Sequence, residues 1–391
     1  MPKITPEIET SARIKVVGCG GSGKNTVNHM INSQVKGVDF VVVNTDAQDL
    51  HNSLAKRKIH IGKNLTRGLG TGMNPELGKR SAEETKEEIQ EALKGADMVF
   101  ITGGMGGGTG TGASPVVART AKEIGALTIA VVTKPFGFEG AQRARLAEQG
   151  LEELRKEVDA IIVIPNDRLL TVANKGTTTK AAFAMCNEVL RQAVEGIADL
   201  IVTPGEINAD FADIRTVMEN GGSALIGIGV ADGEKRAEDA AKAAINSPLL
   251  DISVNGARGI LIAIASGDDL GILEINEIVK IVTESVDPNA KIKFGTILDR
   301  HLKKNQIKVT VIASGFPEGV SRSGGESLFQ LKRPNPAVME ANREPEPKKP
   351  GIFNSLPDRE KIEAKDAKPV SPEDDDDWNA VPAFLRRSKI K

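Results

Sequence analysis

"ITGGMGGGTGTGASP" (residues 101–115) carries seven glycines between Gly103 and Gly112, set between an apolar run and a stretch of helical character whose first turn can hold Pro115. Glycine lets a backbone bend tightly enough for several N–H groups to point at one anion. A second turn, "VVGCGGSGKNT" (16–26), fits two phosphate-binding patterns in part. Read as GxGxxG, its Gly18, Gly20 and Gly23 follow the apolar run Ile14 to Val17 like a dinucleotide-binding turn. Read as GxxxxGK, its Gly18, Gly23 and Lys24 stop short of a P-loop, because Asn25 stands where a magnesium-holding Ser or Thr is needed. Two such loops, Gly20 to Asn25 and Gly104 to Gly112, suggest one polyphosphate cradled from both sides by backbone donors, without a P-loop's dominant lysine.

The surroundings of these loops indicate an α/β fold. Short apolar runs at 14–17, 40–43, 98–101, 127–132 and 160–164 alternate with amphipathic stretches. That alternation predicts a parallel sheet with helices on both faces, which binds nucleotides at the carboxyl ends of its strands. Residues 178–201 contain no proline and place Phe183, Val189, Leu190, Val194, Ile197, Leu200 and Ile201 at helical spacing. As one helix the segment is ~36 Å long, enough to cross a domain. Further apolar runs at 224–230, 259–265, 291–298 and 308–313, with helical patterns at 234–245 and 272–286, form a second, smaller α/β layer.

The expected organisation is a flexible N-terminus (1–12), a nucleotide-binding domain (13–177), a central core helix (178–202), a C-terminal activation and polymerisation domain (203–316), a disordered linker (317–377) and a terminal peptide (378–391). Ten of the nineteen prolines fall after Phe316, in a segment too poor in branched apolar residues to order itself. As a flexible coil the linker spans ~40–50 Å r.m.s.. It ends in the acidic run Glu373 to Asp377, followed by a tip that concentrates Trp378, the chain's one tryptophan, with Val381, Pro382, Ala383, Phe384 and Leu385 beside Arg386 and Arg387. An apolar strip of that kind reads as a docking peptide.

Composition narrows the function. The formal net charge of the 391-residue chain is −2, which gives no general pull towards nucleic acid. Its two cysteines, Cys19 and Cys186, have no metal-ligand spacing and read as free thiols of a reducing, cytoplasmic setting. No apolar run approaches the ~20 residues that span a bilayer, so membrane contact is expected to be borrowed from a partner.

GGGTGTG (106–112) resembles the signature of the tubulin/FtsZ superfamily, and GCGGSGKNT (18–26), NTDAQ (44–48), RGLGTGMNPE (67–76), TKPFGFEGAQR (133–143), PNDRLL (165–170) and NADFADIRT (208–216) are similar to its nucleotide loops and synergy loop in their order. PAFLRR (382–387) resembles the FtsZ C-terminal peptide. The resemblance implies a tubulin/FtsZ-like fold and a bacterial cell-division GTPase that assembles into head-to-tail filaments. It further implies membrane-anchoring and regulatory division proteins as partners of the tip, and a place at the division site on the inner face of the membrane through those adaptors. GTP, GDP and Mg2+ are the implied ligands, with the metal held through phosphates and water. The residues before PAFLRR are Trp378, Asn379 and Ala380, where the family pattern has an aspartate.

Carried onto this chain, the family's map assigns phosphate contacts to Gly20, Gly21, Ser22, Gly23, Lys24 and Asn25, and to Gly104, Gly106, Gly107, Gly108, Thr109 and Gly110. Thr109 and Thr111 add hydroxyls or a magnesium-shell contact. Asp46 and Thr133 belong to the same loops, and Gly70, Thr71, Gly72 and Met73 lie near the γ-phosphate and report its loss. Glu139 and Arg143 reach the ribose and phosphate region; the lesser alternative for Arg143 is a solvated helix residue. Phe183, if it is not simply core, stacks on the guanine, with Asn187, Asn166 and Asn25 at its edge. Lys24 departs from the uncharged residue of the family pattern and either points to solvent or adds a cation near the phosphates.

The first domain supplies no evident acid or base for the attacking water. The candidates are Asn208, Asp210 and Asp213 at the start of a helix. Asp210 is adequately explained as a cap, whereas Asp213 is not required for capping. By resemblance this loop is presented to the nucleotide of the next subunit, so hydrolysis is completed in trans. A dinucleotide-dependent oxidoreductase would account for GCGGSG and Asp46, but it leaves the second glycine loop and the two aspartates without a role. A weakly hydrolytic scaffold related to tubulin would not need both aspartates.

Overall fold

The computed structural model describes residues 12–316 except Val172, Lys175, Pro204, 248–255 and 300–301. The expectations placed on residues 1–11, the linker and the terminal peptide lie outside the described residues.

Ten strands form the framework of the described residues: β1 (Ile14–Cys19), β2 (Val38–Asn44), β3 (Arg57–His60), β4 (Met98–Gly104), β5 (Leu127–Lys134), β6 (Ala160–Pro165), β7 (Gly222–Asp232), β8 (Gly259–Ser266), β9 (Lys291–Leu298) and β10 (Gln306–Ser314). Their order across the sheet is β3-β2-β1-β4-β5-β6-β7-β10-β8-β9. The first six are parallel, with Val16 opposite both Phe40 and Phe100. Strands covered by helices on both faces bury every side chain, which is why β1, β4 and β5 are nearly continuous apolar runs.

β7 joins the two halves. Its first three residues pair parallel with β6, and from Leu225 onward it pairs antiparallel with β10. The two α/β layers expected from the sequence are therefore one sheet. One buried cluster runs from Ile14 and Phe100 through Ile197 to Leu261 and Ile312.

The central helix spans Thr179–Val202, with the Thr178 side chain accepting a hydrogen bond from Ala181 N. Ala182, Cys186, Val189, Leu190, Ala193, Val194, Ile197 and Ala198 form its buried stripe. Thr26 on the Gly20–Asn32 helix donates to Asn187 Oδ1 at 3.0 Å, and His29 bonds Glu188 at 2.9 Å, tying the first helix to the central one. Burial opposes ionisation of Glu188, but hydrogen bonds from Arg191 and His29 outweigh it and hold the carboxyl at about 2.

Two differences from the sequence reading are physical. β3 was not expected, because Arg57–His60 is a four-residue edge strand with one buried residue and no apolar pattern to reveal it. Pro115 lies inside a helix that begins six residues earlier at Thr109, not in its first turn. Packing against the Pro75–Glu84 helix overrides the low helix propensity of TGTG: a Cβ on Gly112 would stand 1.9 Å from Pro75 O.

Candidate functional site

The helix Gly20–Asn32 leaves β1 directly and the helix Thr109–Glu123 follows β4 after a four-residue loop (105–108), and neither has a capping side chain or an acidic residue in its first turn. By contrast Asn74, Thr178 and Asp210 cap their own helices with side-chain oxygens. The first N–H groups of a helix have no intrahelical acceptor, so two uncapped N-termini side by side form a receptor for negative charge. They are also interlocked. Gly20 sits at φ +69°, and a Cβ on it would stand 2.8 Å from Gly110 N. Thr109 Oγ1 lies 2.8 Å from Thr45 Oγ1 and 3.3 Å from Thr71 Oγ1, so three hydroxyls meet beside the loop.

Next to these termini opens a cleft lined by Ser22, Asn25, Gly104, Met105, Thr133, Pro135, Glu139, Arg143, Asn166, Phe183, Cys186, Asn187 and Leu190. Asn166 Oδ1 and Arg143 Nε are buried without a hydrogen-bond partner, one acceptor and one donor for an occupant. Arg143 is half-buried, not a solvated helix residue, and its Nη1 donates to Glu139 Oε2 at 2.6 Å. Glu139 also accepts from Phe136 N. Phe183 is 41% exposed and meets the Phe136 ring edge-on at 5.4 Å, so it is an open aromatic face and not core. Asn187 uses its Oδ1 on Thr26, which leaves its amide donors for a ligand.

Other expected residues occupy different positions. Asp46 caps the short helix Ala47–His51 by accepting from Asp49 N. Thr71 is buried beside Gly108, whereas Gly70, Gly72 and Met73 are exposed on a segment with left-handed φ at Gly72 and Met73. Gly106 and Gly107 lie on the loop between β4 and the Thr109 helix. Thr111 does not join Thr109: its Oγ1 accepts from Gly106 N and its methyl packs toward Gly150, which makes it a brace of the loop. Both cysteines are buried free thiols, and burial pushes each up to about 12, far from nucleophilic use.

Lys24 corrects the first of the two sequence alternatives, a side chain pointing to solvent. It is buried, and its Nζ pairs with Asp49 Oδ1 at 2.6 Å while Asn44 donates to Asp49 Oδ2 at 2.8 Å. The cation is thus held by Asp49 and is not in solvent. Asp49 escaped notice because a pair separated by a strand and a loop leaves no local pattern; Thr26 and Thr45 were missed for the same reason. Removing one partner strands the other charge, so Lys24→Asn is expected to cost about 2 kcal/mol, and the double variant with Asp49→Asn less than the two single changes together. Denaturant unfolding of the four species checks this.

The synergy-loop candidates form a second place. Asp210 Oδ1 accepts from Asp213 N at 2.7 Å, and the Phe211–Met218 helix buries Ile214, Val217 and Met218, with Phe211 only partly covered beside Arg215. Asn208 Oδ1 accepts from Gly205 N. Asp213, which capping does not require, pairs with Lys293 Nζ of β9 at 2.6 Å. Phe183 and Val202 are about 28 Å apart along the central helix, at roughly 1.5 Å per residue, so this loop follows the end of the helix remote from the cleft.

Residues 13–174 match the GTPase domain of the Tubulin/FtsZ family, and residues 222–317 match the C-terminal domain of the FtsZ family. Among solved structures, FtsZ of M. jannaschii as an empty dimer is 48% identical, with a TM-score of 0.75 over 79% of this chain and 89% of that one. A tryptophan-to-tyrosine mutant of the same protein is also 48% identical with a TM-score of 0.75, over 78% and 92%. CetZ2 of Haloferax volcanii, solved as a GTPγS-bound protofilament, is 23% identical with a TM-score of 0.67 over 78% and 94%, a likeness of fold. With both of its α/β layers matched and near half its residues shared across a relative's length, the chain belongs to the FtsZ branch of the tubulin/FtsZ family and is a GTPase.

Proposed function

We propose that the chain is a self-polymerising cytoskeletal GTPase of the cell-division ring, whose filaments are head-to-tail and whose active centre is completed by the adjoining subunit. The observation that carries this reading is the separation of the two uncapped helix N-termini from the synergy-loop aspartates, which follow the remote end of the central helix. Asp46 caps a helix, Asp49 is neutralised by Lys24, Glu139 is held by Arg143 and Phe136 N, and Asp167 accepts from Gly137 N. Each of these is tied into the wall of the cleft, whereas Asp210 and Asp213 stand past the far end of the central helix, where they can only meet the nucleotide of another subunit.

GTP would lie with its phosphates on the N-termini of the Gly20 and Thr109 helices, and with its base against Phe183 near Asn187, Asn166 and Asn25. Arg143 would reach the ribose or phosphate region. The hydroxyls of Thr45, Thr71 and Thr109 suit a magnesium ion held mainly by phosphate and water oxygens; when bound, such an ion offsets charge on the phosphates. Loss of the γ-phosphate would release the Gly70–Met73 segment.

Asp210 and Asp213, with Asn208, would then polarise the water on the neighbour's nucleotide. Two apolar surfaces support the assembly. Leu69, Phe138 and Leu170 are exposed near the cleft, whereas Ile272 and Leu273 are exposed next to Leu270, which shares a pocket with Gly205 and Glu206 of the synergy-loop segment. Different surfaces of identical subunits that do not close into a ring extend into a filament. FtsZ of M. jannaschii solved as a dimer and CetZ2 solved as a protofilament are consistent with this reading. The terminal peptide, 378–391, would attach the filament to membrane-anchoring division proteins, many weak tips acting together.

Sedimentation with GTP or GDP, with phosphate release measured in the same tube, tests the proposal. Turnover per subunit should rise steeply with protein concentration and follow the pelleted fraction. Equal turnover in dilute monomer and dense polymer would overturn it.

A further inference from the structure

The Asp213–Lys293 pair is not needed for folding in any evident way. It lies on the surface, 42% of the lysine side chain and 32% of the aspartate exposed. Yet the strand that carries the lysine is built into the synergy loop. Thr296 N donates to Ile207 O, Ile207 N donates to Thr296 Oγ1, and a Cβ on Gly295 would stand 3.2 Å from Ile207 O. β9 is therefore the floor on which residues 205–210 rest, and Lys293 is fixed relative to Asp213 by the same strand that fixes the loop.

We infer that Lys293 is a positioning residue for Asp213: it clamps the carboxylate in one direction and accompanies it to the neighbour's nucleotide, cancelling one of two negative charges brought up to the phosphates. The inference rests on the shared-site reading above. Its physical need is plain. Asp210 and Asp213 approach a polyphosphate, and like charges a few ångströms apart repel unless a cation stands between or beside them.

The hydrogen bond from Lys293, with its charge, also holds the Asp213 carboxyl below its usual range, and the two aspartates raise the lysine. A neighbour's phosphates would push Asp213 the other way, toward protonation, and Lys293 opposes them. Other charged groups on the surrounding elements are Asp210 and Arg215 of the same helix segment, Arg215 itself paired with Glu219, Glu206 of the loop and Lys291 two residues along β9; β8, the other strand under this helix, has no titratable side chain.

The test is GTP turnover per pelleted subunit of the full chain, at saturating GTP and above the assembly threshold, from pH 5 to 8. Lys293→Met should raise the acid-side midpoint by about one pH unit. Lys293→Arg should keep the original midpoint, and Lys293→Met added to Asp213→Ala should change nothing further. A Lys293→Met profile that superimposes on the unmodified one, or is lowered equally at every pH, would overturn the inference, as would failure of arginine to substitute. Normal turnover by Asp213→Ala would instead refute the shared site itself. An inactive Asp213→Ala beside an unaltered Lys293→Met profile would refute only the role of Lys293.

Discussion

Asp213→Ala is expected to bind guanine nucleotide and sediment with GTP as the unmodified chain does, while its phosphate release falls about 10²–10³-fold. The helix that carries Asp213 does not depend on that side chain. Asp210 supplies the cap through the backbone N–H of residue 213, which alanine retains, and Ile214, Val217 and Met218 supply the burial. The ion pair lost is a surface one with Lys293, which solvent screens to little net stability. Folding and assembly therefore have little to lose. Hydrolysis loses the one of the two candidate aspartates that no capping role explains. Phosphate release measured with the pelleted fraction separates the two effects. A mutant that pellets and hydrolyses normally would remove Asp213 from the chemistry.

That separation of roles marks what the sequence makes legible. The glycine loops could be read at sight, because glycine is required where two backbones touch, as at Gly20, Gly108 and Gly112. The apolar runs announced nine of the ten described strands, most plainly β4, β5 and β8, where a strand covered on both faces must be apolar throughout. What could not be read is pairwise and distant. Lys24 looked like half of a P-loop because its partner, Asp49, lies on the far side of β2 in the chain. Lys293 belonged to no motif, and its position against Asp213 depends on β9 passing under the synergy loop. Phe183 has the helical spacing of a core residue, yet it stands open because the chain leaves a cleft there. Periodicity reports which face of an element is covered, but not by what.

Adjacent glycines of the signature loop should respond in opposite ways to the same methyl group. At Gly108 an added Cβ would stand 2.0 Å from Thr71 Oγ1 and 2.8 Å from Asn74 N. The second of these is backbone at the start of the Pro75–Glu84 helix, which cannot rotate away as a side chain could. The segment bearing Thr71 must retreat from the Thr109 hydroxyl, now 3.3 Å away, and the third hydroxyl leaves the cluster at the helix N-terminus. A displacement of about 1 Å at a phosphate site costs roughly 100-fold, so Gly108→Ala should weaken guanine-nucleotide binding by about that factor and lower stability by ~1–3 kcal/mol. At Gly107 the same methyl meets nothing within 4 Å and no left-handed φ is involved. Gly107→Ala should therefore unfold within about 0.5 kcal/mol of the unmodified nucleotide-free chain. Nucleotide titration and denaturant unfolding of both variants decide the matter. Equal behaviour at the two positions would mean that the loop yields where its contacts say it cannot. The N–H groups of the Thr109 helix would then not be held in place by the Thr71–Asn74 segment, and the link between that segment and the γ-phosphate would fall with them.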